Sequence, residues 1–305
     1  MIQGQRLVAG DLVALVSPSG AIDPARTEAA AKTLSTWGLR VRVGAHAHAR
    51  HGNLAGTDEQ RLADLNAALR DPEVRAVLCL RGGYGMQRIV DGVDFGAVRA
   101  DPKLIAGFSD ITALHAALWH ETGLATIHGP TAGQLDRGPD TPTAQSLRHA
   151  LTTAAPVTVQ ADPDEDTFPV RVPGTAEGTL LGGNLAMLTS TIGTPHALDT
   201  SGAILVLEDV NEEPYRVDRM LVHLRRAGWL NTLAGVAIGQ FTDCVDPDPS
   251  PPVIDYLTAE LTRLNIPVLG GLPIGHGPEQ IAIGLGVPAH LNATTGTLTV
   301  TAPAT

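Results

Sequence analysis

Residues 104–120, LIAGFSDITALHAALWH, contain a short apolar run, a tight turn and then a helical repeat. Residues 76–85, AVLCLRGGYG, likewise place an apolar run directly before a glycine-rich turn. Repeated units of strand, turn and helix predict a mainly parallel sheet that is covered by helices on both faces. Ligands bind at the carboxyl ends of the strands in such sheets. The two turns are therefore where a functional site is expected.

The same alternation of strands and helices extends back to the start of the chain. An apolar run at 12–16 and a short segment at 39–43 predict two further strands. Between them, Asp23-Pro24 has the pattern of a helix N-cap followed by proline at the first helical position. Residues 57–60, TDEQ, have the spacing of a capping box, so a second helix is predicted to begin there.

The chain is longer than a usual single domain, and its composition indicates where it divides. Across 152–176 the periodicity fades into a stretch rich in proline, threonine and acidic residues. Such a stretch is typical of a crossing between domains. We predict an N-terminal domain at 1–155, a linker at 156–174 and a C-terminal domain at 175–305.

The C-terminal domain is expected to be the smaller of the two, and to combine α/β structure with β-hairpin elements. An apolar strand is predicted at 203–207, ending in Glu208-Asp209, and a helix at 214–227. The tail alternates around Thr295-Gly296 as a hairpin does. The predicted fold class is α/β, with a mainly parallel sheet flanked by helices in the N-terminal domain.

The overall composition limits the partners that are expected. The formal net charge is -11, and phosphate binding depends on clustered Lys and Arg, so neither nucleic acid nor an anionic membrane is expected as a partner. Two cysteines, Cys79 and Cys244, are too few for a disulfide framework. There is no signal-peptide pattern and no apolar run of membrane-spanning length. We therefore expect a soluble, cytoplasmic protein.

Ser109 is the first candidate for chemistry, because it lies where a predicted strand turns into a predicted helix. Such a turn lifts a side chain out of the sheet and directs backbone N–H groups at one point, as in a nucleophile elbow. The local pattern is Gly-Phe-Ser-Asp-Ile, so the second glycine of the usual elbow motif is absent. A serine in this place can instead be a helix N-cap.

His276 is the candidate base, since histidine accepts and returns a proton near neutral pH. It lies between two glycines in PIGHGP, residues 273–278, where the backbone can approach closely and the ring stays accessible. The alternative is an ordinary histidine on a surface loop. His46, His48 and His51 form a cluster, but their spacing fits no standard metal site, so no metal is expected.

Glu208 is the candidate acid, because a carboxylate at the end of the apolar run ILVLED must be paired or hydrogen-bonded. It could orient the histidine, or it could lie exposed and pair with Arg216 or Arg219. The turn RGGYG at 81–85 lacks the glycine order and the lysine of the usual phosphate-binding loops. We therefore predict that this turn supplies N–H donors to an oxyanion and does not bind a phosphate.

Four motifs, taken together and in this order, resemble the LD-carboxypeptidase family of serine peptidases. They are RGGYG at 81–85, GFSD at 107–110, LEDVNEEPYRVDRML at 207–221 and PIGHG at 273–277. Three further stretches, VALVSPSG at 13–20, AGTDEQRL at 55–62 and GGNLAML at 182–188, are also similar to that family. The resemblance therefore spans nearly the whole chain.

The resemblance implies a role for each candidate. Ser109 matches the family's nucleophile, Glu208 its acid and His276 its base. The order along the chain is serine, acid and then histidine, which catalytic triads on other folds also show. The backbone N–H of Asp110 and one from the glycine-rich turn, for which we choose Gly83, would bind the oxyanion. Which glycine of that turn donates stays open. Neither a metal nor any other cofactor is implied.

The implied activity is removal of the terminal D-alanine from murein tetrapeptides, by cleavage of an L-to-D bond during cytoplasmic recycling of cell-wall fragments. The substrate would be a murein peptide, and a homodimer is expected because dimers are common in the family. A related branch contains immunity peptidases that inactivate peptide-nucleotide antibiotics and usually carry a tryptophan for base stacking. Trp37, Trp119 and Trp229 all fall in or beside predicted helices, which favours the murein branch.

Two other classes of function are compatible with these residues. One is a non-catalytic binder of wall peptides, and the other is an amidase or esterase that shares the triad but differs in its substrate pocket.

Overall fold

Two units divide the chain in the computed structural model, which describes residues 1–245 and 251–305. The first unit comprises 1–155, 282–286 and 302–305. The second comprises 156–281 and 287–301. The chain therefore returns to the first unit twice after it has entered the second.

The strands and helices are numbered along the chain. The strands are β1 (Leu12–Val16), β2 (Arg40–Val43), β3 (Val74–Cys79), β4 (Leu104–Gly107), β5 (Thr126–His128), β6 (Val157–Gln160), β7 (Arg171–Val172), β8 (Thr175–Asn184), β9 (Ile204–Val210), β10 (Gly235–Thr242), β11 (Val268–Leu269), β12 (Ile283–Leu285), β13 (Val287–Asn292) and β14 (Thr297–Val300). The helices are α1 (Pro24–Thr36), α2 (Asp58–Arg70), α3 (Phe95–Ala100), α4 (Thr112–Thr122), α5 (Pro142–Thr152), α6 (Leu185–Thr191), α7 (Pro214–Arg226) and α8 (Val253–Leu261).

The first unit is built on a six-stranded sheet with the order β12-β5-β4-β3-β1-β2. Strands β1 to β5 pair in parallel, and β12 adds to β5 in the antiparallel direction. Helices α1 to α4 lie between successive parallel strands along the chain. This confirms the α/β class and the mainly parallel sheet. Because parallel strands end at one edge, the turns after β1, β3 and β4 lie at the same edge.

Local signals in the sequence account for where the first helices begin. Asp23 caps α1 by accepting a hydrogen bond from the backbone N–H of Ala25, and Pro24 takes the first helical position. Thr57 and Gln60 make both reciprocal bonds of a capping box at the start of α2. The helix starts predicted from these residues are confirmed.

The buried core of the first unit consists mainly of alanine, valine, leucine and isoleucine. Its fully buried members include Leu15, Leu34, Leu78, Leu104 and Ile127. Aromatic residues make up only 3% of the chain, so aliphatic packing supplies most of the burial that stabilises this unit.

The second unit is built on an eight-stranded mixed sheet with the order β6-β14-β13-β8-β9-β10-β11-β7. The strands β8, β9, β10 and β11 pair in parallel at its centre, and the outer pairs are antiparallel. The hairpin predicted around Thr295-Gly296 is the pair β13–β14.

Three features of the second half differ in detail from the expectation. The stretch 156–174, predicted as a linker, supplies strands β6 and β7 to the second sheet. Part of the predicted C-terminal domain, strand β12, pairs with β5 in the first unit. The strand before Glu208 does not end there but continues to Val210. In each case the segment forms a strand, or a longer strand, because it pairs with a strand that is distant in sequence.

No helix among the described residues has the length and apolar character needed to cross a membrane.

Candidate active site

Ser109 lies in the sharp turn between β4 and α4, in the first unit. Phe108 is extended, with φ -154° and ψ -173°, and Ser109 then adopts a left-handed φ of 64°. A non-glycine residue in this region carries strain that proteins retain mainly at functional sites. The side chain of Ser109 caps neither the 3-10 turn at 109–111 nor α4. The N-cap alternative is therefore wrong, and the geometry is that of a nucleophile elbow.

The glycine-rich turn after β3 packs directly against this serine. A Cβ at Gly82 would lie 2.8 Å from the Ser109 Cβ and 3.1 Å from its Oγ. The carbonyl of Gly82 accepts a hydrogen bond from the Gly20 N–H at 3.0 Å. Because a trans peptide directs its C=O and N–H to opposite sides, the N–H of Gly83 points away from Gly20.

Asp110 joins the elbow to two neighbouring turns through its buried carboxylate. Its Oδ2 accepts hydrogen bonds from the Ser19 Oγ at 2.5 Å and from the Met86 N–H at 2.8 Å. Burial raises the pKa of the Asp110 carboxyl above its usual range, although both hydrogen bonds act to lower it. The side chain thus holds the turns after β1 and β3 next to Ser109. The backbone N–H of Asp110 belongs to the first turn of a helical segment, where N–H groups lack an intrahelical acceptor.

His115 lies behind the elbow, on α4, and is only 3% exposed. Its Nε2 contacts the carbonyl of Gly107 at 2.9 Å, so this nitrogen carries the proton. Burial lowers the pKa of the ring from its usual 6.5 to about 4. Its Nδ1 is buried with no hydrogen-bond partner among the described residues, so protonation there would create an unsatisfied donor.

The His115 ring predicts a specific dependence of stability on pH. The unfolded ring binds a proton below about pH 6.5, whereas the folded ring binds one only near pH 4. The contribution of the neutral, buried ring to the free energy of unfolding is therefore complete above pH 6.5, and it is lost as the pH falls from there toward 4. Between about pH 7.5 and about pH 5, we expect the wild type to lose about 2 kcal/mol more stability than His115→Gln, which keeps an N–H donor but does not titrate. Urea unfolding at both pH values tests this. Equal losses in the two proteins would contradict the expectation.

Glu208 and His276 form a hydrogen-bonded pair in the second unit. The His276 Nδ1 lies 2.6 Å from the Glu208 Oε2, the Glu208 side chain is 0% exposed and that of His276 is 15% exposed. The other carboxylate oxygen, Oε1, is buried with no hydrogen-bond partner among the described residues. The exposed strand-end alternative is therefore wrong, and Arg216 binds Glu213 instead, with Nε and Oε2 2.7 Å apart.

The loop that carries His276 comes this close because glycine precedes the histidine. Gly275 has a φ of 128°, which side-chain-bearing residues rarely adopt. A Cβ there would lie 2.7 Å from the Glu208 Oε2 and 2.9 Å from the Glu208 Cβ. Any other residue at this position would push the loop off the carboxylate.

Asp209 follows Glu208 on β9 and makes its own set of hydrogen bonds. Its carboxylate accepts from the Asn184 side chain and from the backbone N–H groups of Ala186 and Val210, each at 2.9 Å. Burial, and secondly the charge of Glu208, raise the pKa of Asp209 to about 7. Asp209 therefore fixes the start of α6 to β9.

The histidine cluster near residue 50 is not arranged as a metal site within the part of the chain that the structure describes. Among the described residues no group of three or more His, Cys, Asp and Glu side chains is arranged to hold a metal ion. The sequence placed no carboxylate near this cluster, but the structure brings Asp64 to His46, with Oδ1 and Nδ1 2.8 Å apart.

The structure thus gathers the predicted residues in two groups. Ser109, Asp110 and Gly83 belong to the turns of the first unit, and Glu208 and His276 form a pair within the second. Sequence reasoning missed the carboxylate of Asp110, whose only signal was an acidic residue inside a run of apolar ones. It also missed Gln240, whose side chain binds the N–H of Gly277, and Glu165, which binds Gln240. Glu165 lies in the acidic stretch that was predicted as a linker.

Comparison with known proteins covers both units. Residues 13–129 match the LD-carboxypeptidase N-terminal domain, and residues 177–291 match the LD-carboxypeptidase C-terminal domain. The probable murein peptide carboxypeptidase of Bacillus subtilis is 40% identical, over 96% of this chain and 92% of its own length.

Solved structures are also similar to this chain over almost its whole length. The muramoyltetrapeptide carboxypeptidase from Oxalobacter formigenes is 31% identical with a TM-score of 0.84, covering 96% of this chain and 100% of that one. The microcin C7 self immunity protein MccF is 22% identical with a TM-score of 0.88, covering 99% of this chain and 98% of that one. The second likeness shows a shared fold only.

Proposed function

This chain belongs to the LD-carboxypeptidase family, and we propose on that premise that it is a serine peptidase that releases the terminal D-alanine from murein tetrapeptides. The motif resemblance predicted from the sequence is thereby confirmed at the level of the family. The observation that carries the proposed chemistry is the hydrogen bond between the buried Glu208 and the Nδ1 of His276. It leaves Nε2 as the nitrogen that can take a proton from a nucleophile.

In the proposed reaction, the Oγ of Ser109 attacks the carbonyl carbon of the L-centre that precedes D-alanine. His276 accepts the hydroxyl proton on Nε2 and donates it to the departing amine as the C–N bond breaks. Water then hydrolyses the acyl-enzyme with the same histidine as base. Glu208 holds the ring in the required tautomer and stabilises its protonated form.

Backbone donors at the elbow would stabilise the tetrahedral intermediate. We propose the N–H groups of Asp110 and Gly83 for this role. The left-handed turn at Ser109 and the close packing of Gly82 against it support the choice. Each donor of this kind contributes on the order of 3 kcal/mol to the barrier reduction in other serine enzymes.

The murein branch is better supported than the antibiotic-inactivating branch. Trp37 and Trp229 are 8% and 7% exposed, and the ring of Trp119 packs over Gly286, where a Cβ would lie 2.6 Å from it. These three are all the tryptophans in the chain, and each is engaged in packing within its unit, which disfavours a role in stacking on a nucleotide base. The sequence identity to MccF is only 22%, so this likeness indicates a shared fold and does not indicate a shared substrate.

The decisive experiment is an assay of purified protein on a murein tetrapeptide. We expect release of D-alanine, with or without a chelator, and no cleavage of the matched peptide that ends in L-alanine. A peptide-nucleotide antibiotic serves as the second substrate. Cleavage of the antibiotic without release of D-alanine would overturn the murein assignment, and loss of activity in chelator would overturn the metal-independent mechanism. Cytoplasmic recycling is the setting that we propose, and the homodimer stays a prediction.

A further inference from the structure

The strand next to the proposed acid contains an irregularity opposite Glu208. Strands β9 and β10 pair regularly as far as Leu207 with Ile238, and the pairing resumes with Asp209 and Phe241. Two residues of β10, Gly239 and Gln240, therefore oppose the single residue Glu208. Such a β-bulge re-aims side chains and is common beside active sites.

Gly239 lets the histidine loop lie directly on this bulge. A Cβ at Gly239 would lie 2.1 Å from the carbonyl oxygen of Ile274 and 3.2 Å from the Glu208 Cβ. The next residue, Gln240, donates its backbone N–H to the same Ile274 carbonyl at 2.8 Å. The backbone just before His276 is thus fixed to β10.

The Gln240 side chain holds the backbone on the other side of His276. Its Oε1 accepts the N–H of Gly277 at 2.7 Å, and its Nε2 donates to the Glu165 Oε1 at 2.6 Å and to the Glu279 carbonyl at 3.3 Å. Both partners of the nitrogen are acceptors and the partner of the oxygen is a donor, so one orientation of the amide satisfies all three contacts. Gln240 is only 3% exposed, so water does not readily replace these bonds.

The fit around this amide is close. A Cβ at Gly277 would lie 2.0 Å from the Gln240 Nε2. The glycines on both sides of His276 allow the loop this close approach, but glycine gives the backbone little resistance to movement. The bonds from Gln240 supply the restraint that the glycines lack.

We propose that Gln240 is a positioning residue for His276, and that Glu165 holds the Gln240 amide in the orientation that binds Gly277. The inference rests on the proposed function, since it assigns His276 as the base. Gln240 does not act on the substrate; it keeps the imidazole over Glu208 and aimed for proton transfer. A displacement of about 1 Å at a reacting group can lower a rate by about 100-fold.

Glu165 requires only an acceptor oxygen for this role. Burial raises the pKa of its carboxyl, the hydrogen bond from Gln240 lowers it, and the charges of Asp162 and Asp166 raise it further, so that the net shift is upward. Its negative charge is therefore poorly stabilised, and a neutral side chain of the same shape is expected to serve. Glu165→Gln keeps a carbonyl oxygen for the Gln240 Nε2, whereas Glu165→Leu removes it.

The test compares kcat and KM for D-alanine release in four variants, at a temperature where all are folded. Gln240→Leu is expected to lower kcat about 10- to 100-fold with KM changed less than threefold. Glu165→Leu should lower kcat by a smaller factor, and Glu165→Gln should retain at least a third of it. The matched control is Gln160→Leu, which removes an exposed glutamine from β6 of the same unit and should leave kcat unchanged.

Proton NMR gives a readout that is independent of turnover. The Nδ1–H between His276 and Glu208 should give a strongly deshielded signal, which Gln240→Leu should weaken or shift and Gln160→Leu should not. A lowered melting temperature with unchanged kcat and an unchanged signal would overturn the proposal, as would a rise in KM at constant kcat. If the wild type releases no D-alanine, the proposed function fails, but the NMR comparison still decides whether Gln240 positions His276.

Discussion

Replacement of Ser109 by alanine is expected to lower kcat for D-alanine release by at least about 10⁴-fold, because loss of a triad nucleophile in other serine peptidases removes nearly all of the covalent pathway. The protein should remain folded, since the change deletes one oxygen from a half-buried side chain. Turnover and melting temperature, measured on the same sample, test both statements. Ser35→Ala, on the exposed side of α1, is the matched control and should change neither. Retention of more than one hundredth of the activity in Ser109→Ala would remove Ser109 from the mechanism.

The elbow geometry adds a second comparison at the same position. A side-chain-bearing residue in the left-handed region costs about 1–2 kcal/mol, and Ser109 has a φ of 64°. Glycine adopts this conformation freely. Ser109→Gly should therefore be as inactive as Ser109→Ala and yet more stable than it by about 1 kcal/mol. If the alanine variant is the more stable of the two, the turn is not strained.

Much of the first unit could be predicted from the sequence, because its signals are local. The buried runs before Arg81 and before Phe108 appear as β3 and β4, and Asp23 and Thr57 cap helices where the sequence placed them. Parallel strands that alternate with helices leave few topologies to choose from. The position of Ser109 at the carboxyl end of a strand followed from this pattern alone.

The second unit was less predictable, because pairing of distant segments decides its details. Strand β12 crosses to the sheet of the first unit through three residue pairs with β5, and nothing in its own sequence specifies that partner. The stretch 156–174 lacks periodicity, yet its ends pair as strands with β14 and β11. The β-bulge opposite Glu208 has no local signal except Gly239, so the positions of Gln240 and Glu165 could not be derived.

The choice between Glu208 and Asp209 shows where resemblance supplied what residues alone could not. Neighbouring residues on a strand face opposite sides, so the sequence Glu208-Asp209 offers one acid to each face. The requirement that a carboxylate at the end of an apolar run be paired applies to both residues, and the motif resemblance matched Glu208 to the family's acid. The structure shows Glu208 at the Nδ1 of His276 and Asp209 engaged with Asn184.

Replacement of Glu208 by glutamine is expected to lower kcat by about 10³- to 10⁴-fold, as the equivalent change does in other triads by stabilising the wrong tautomer. The Oε1 of Glu208 is buried with no hydrogen-bond partner among the described residues. If the glutamine oxygen faced the Nδ1 of His276, its NH₂ group would occupy that buried place as an unsatisfied donor, at a cost of about 1–3 kcal/mol. The amide is therefore expected to turn its NH₂ group toward Nδ1. This moves the ring proton to Nε2, the nitrogen that must receive the proton of Ser109.

Nitrogen-15 NMR of the imidazole reports the tautomer directly, and steady-state kinetics report its consequence. Glu177→Gln, an exposed residue on β8 of the same sheet, is the matched control and should alter neither. A variant Glu208→Gln with the proton still on Nδ1, or with more than a tenth of the wild-type kcat, would show that this carboxylate does not set the tautomer.

The double variant Ser109→Ala/Glu208→Gln then tests whether the serine and the histidine–glutamate pair act as one unit. Residues of a triad are strongly non-additive, because each has value only while the others are present. The double variant should therefore be no slower than Ser109→Ala alone, within about threefold. Losses that multiply would mean that Glu208 and His276 accelerate a step in which Ser109 takes no part, and the serine mechanism would have to be abandoned even though each single variant was inactive.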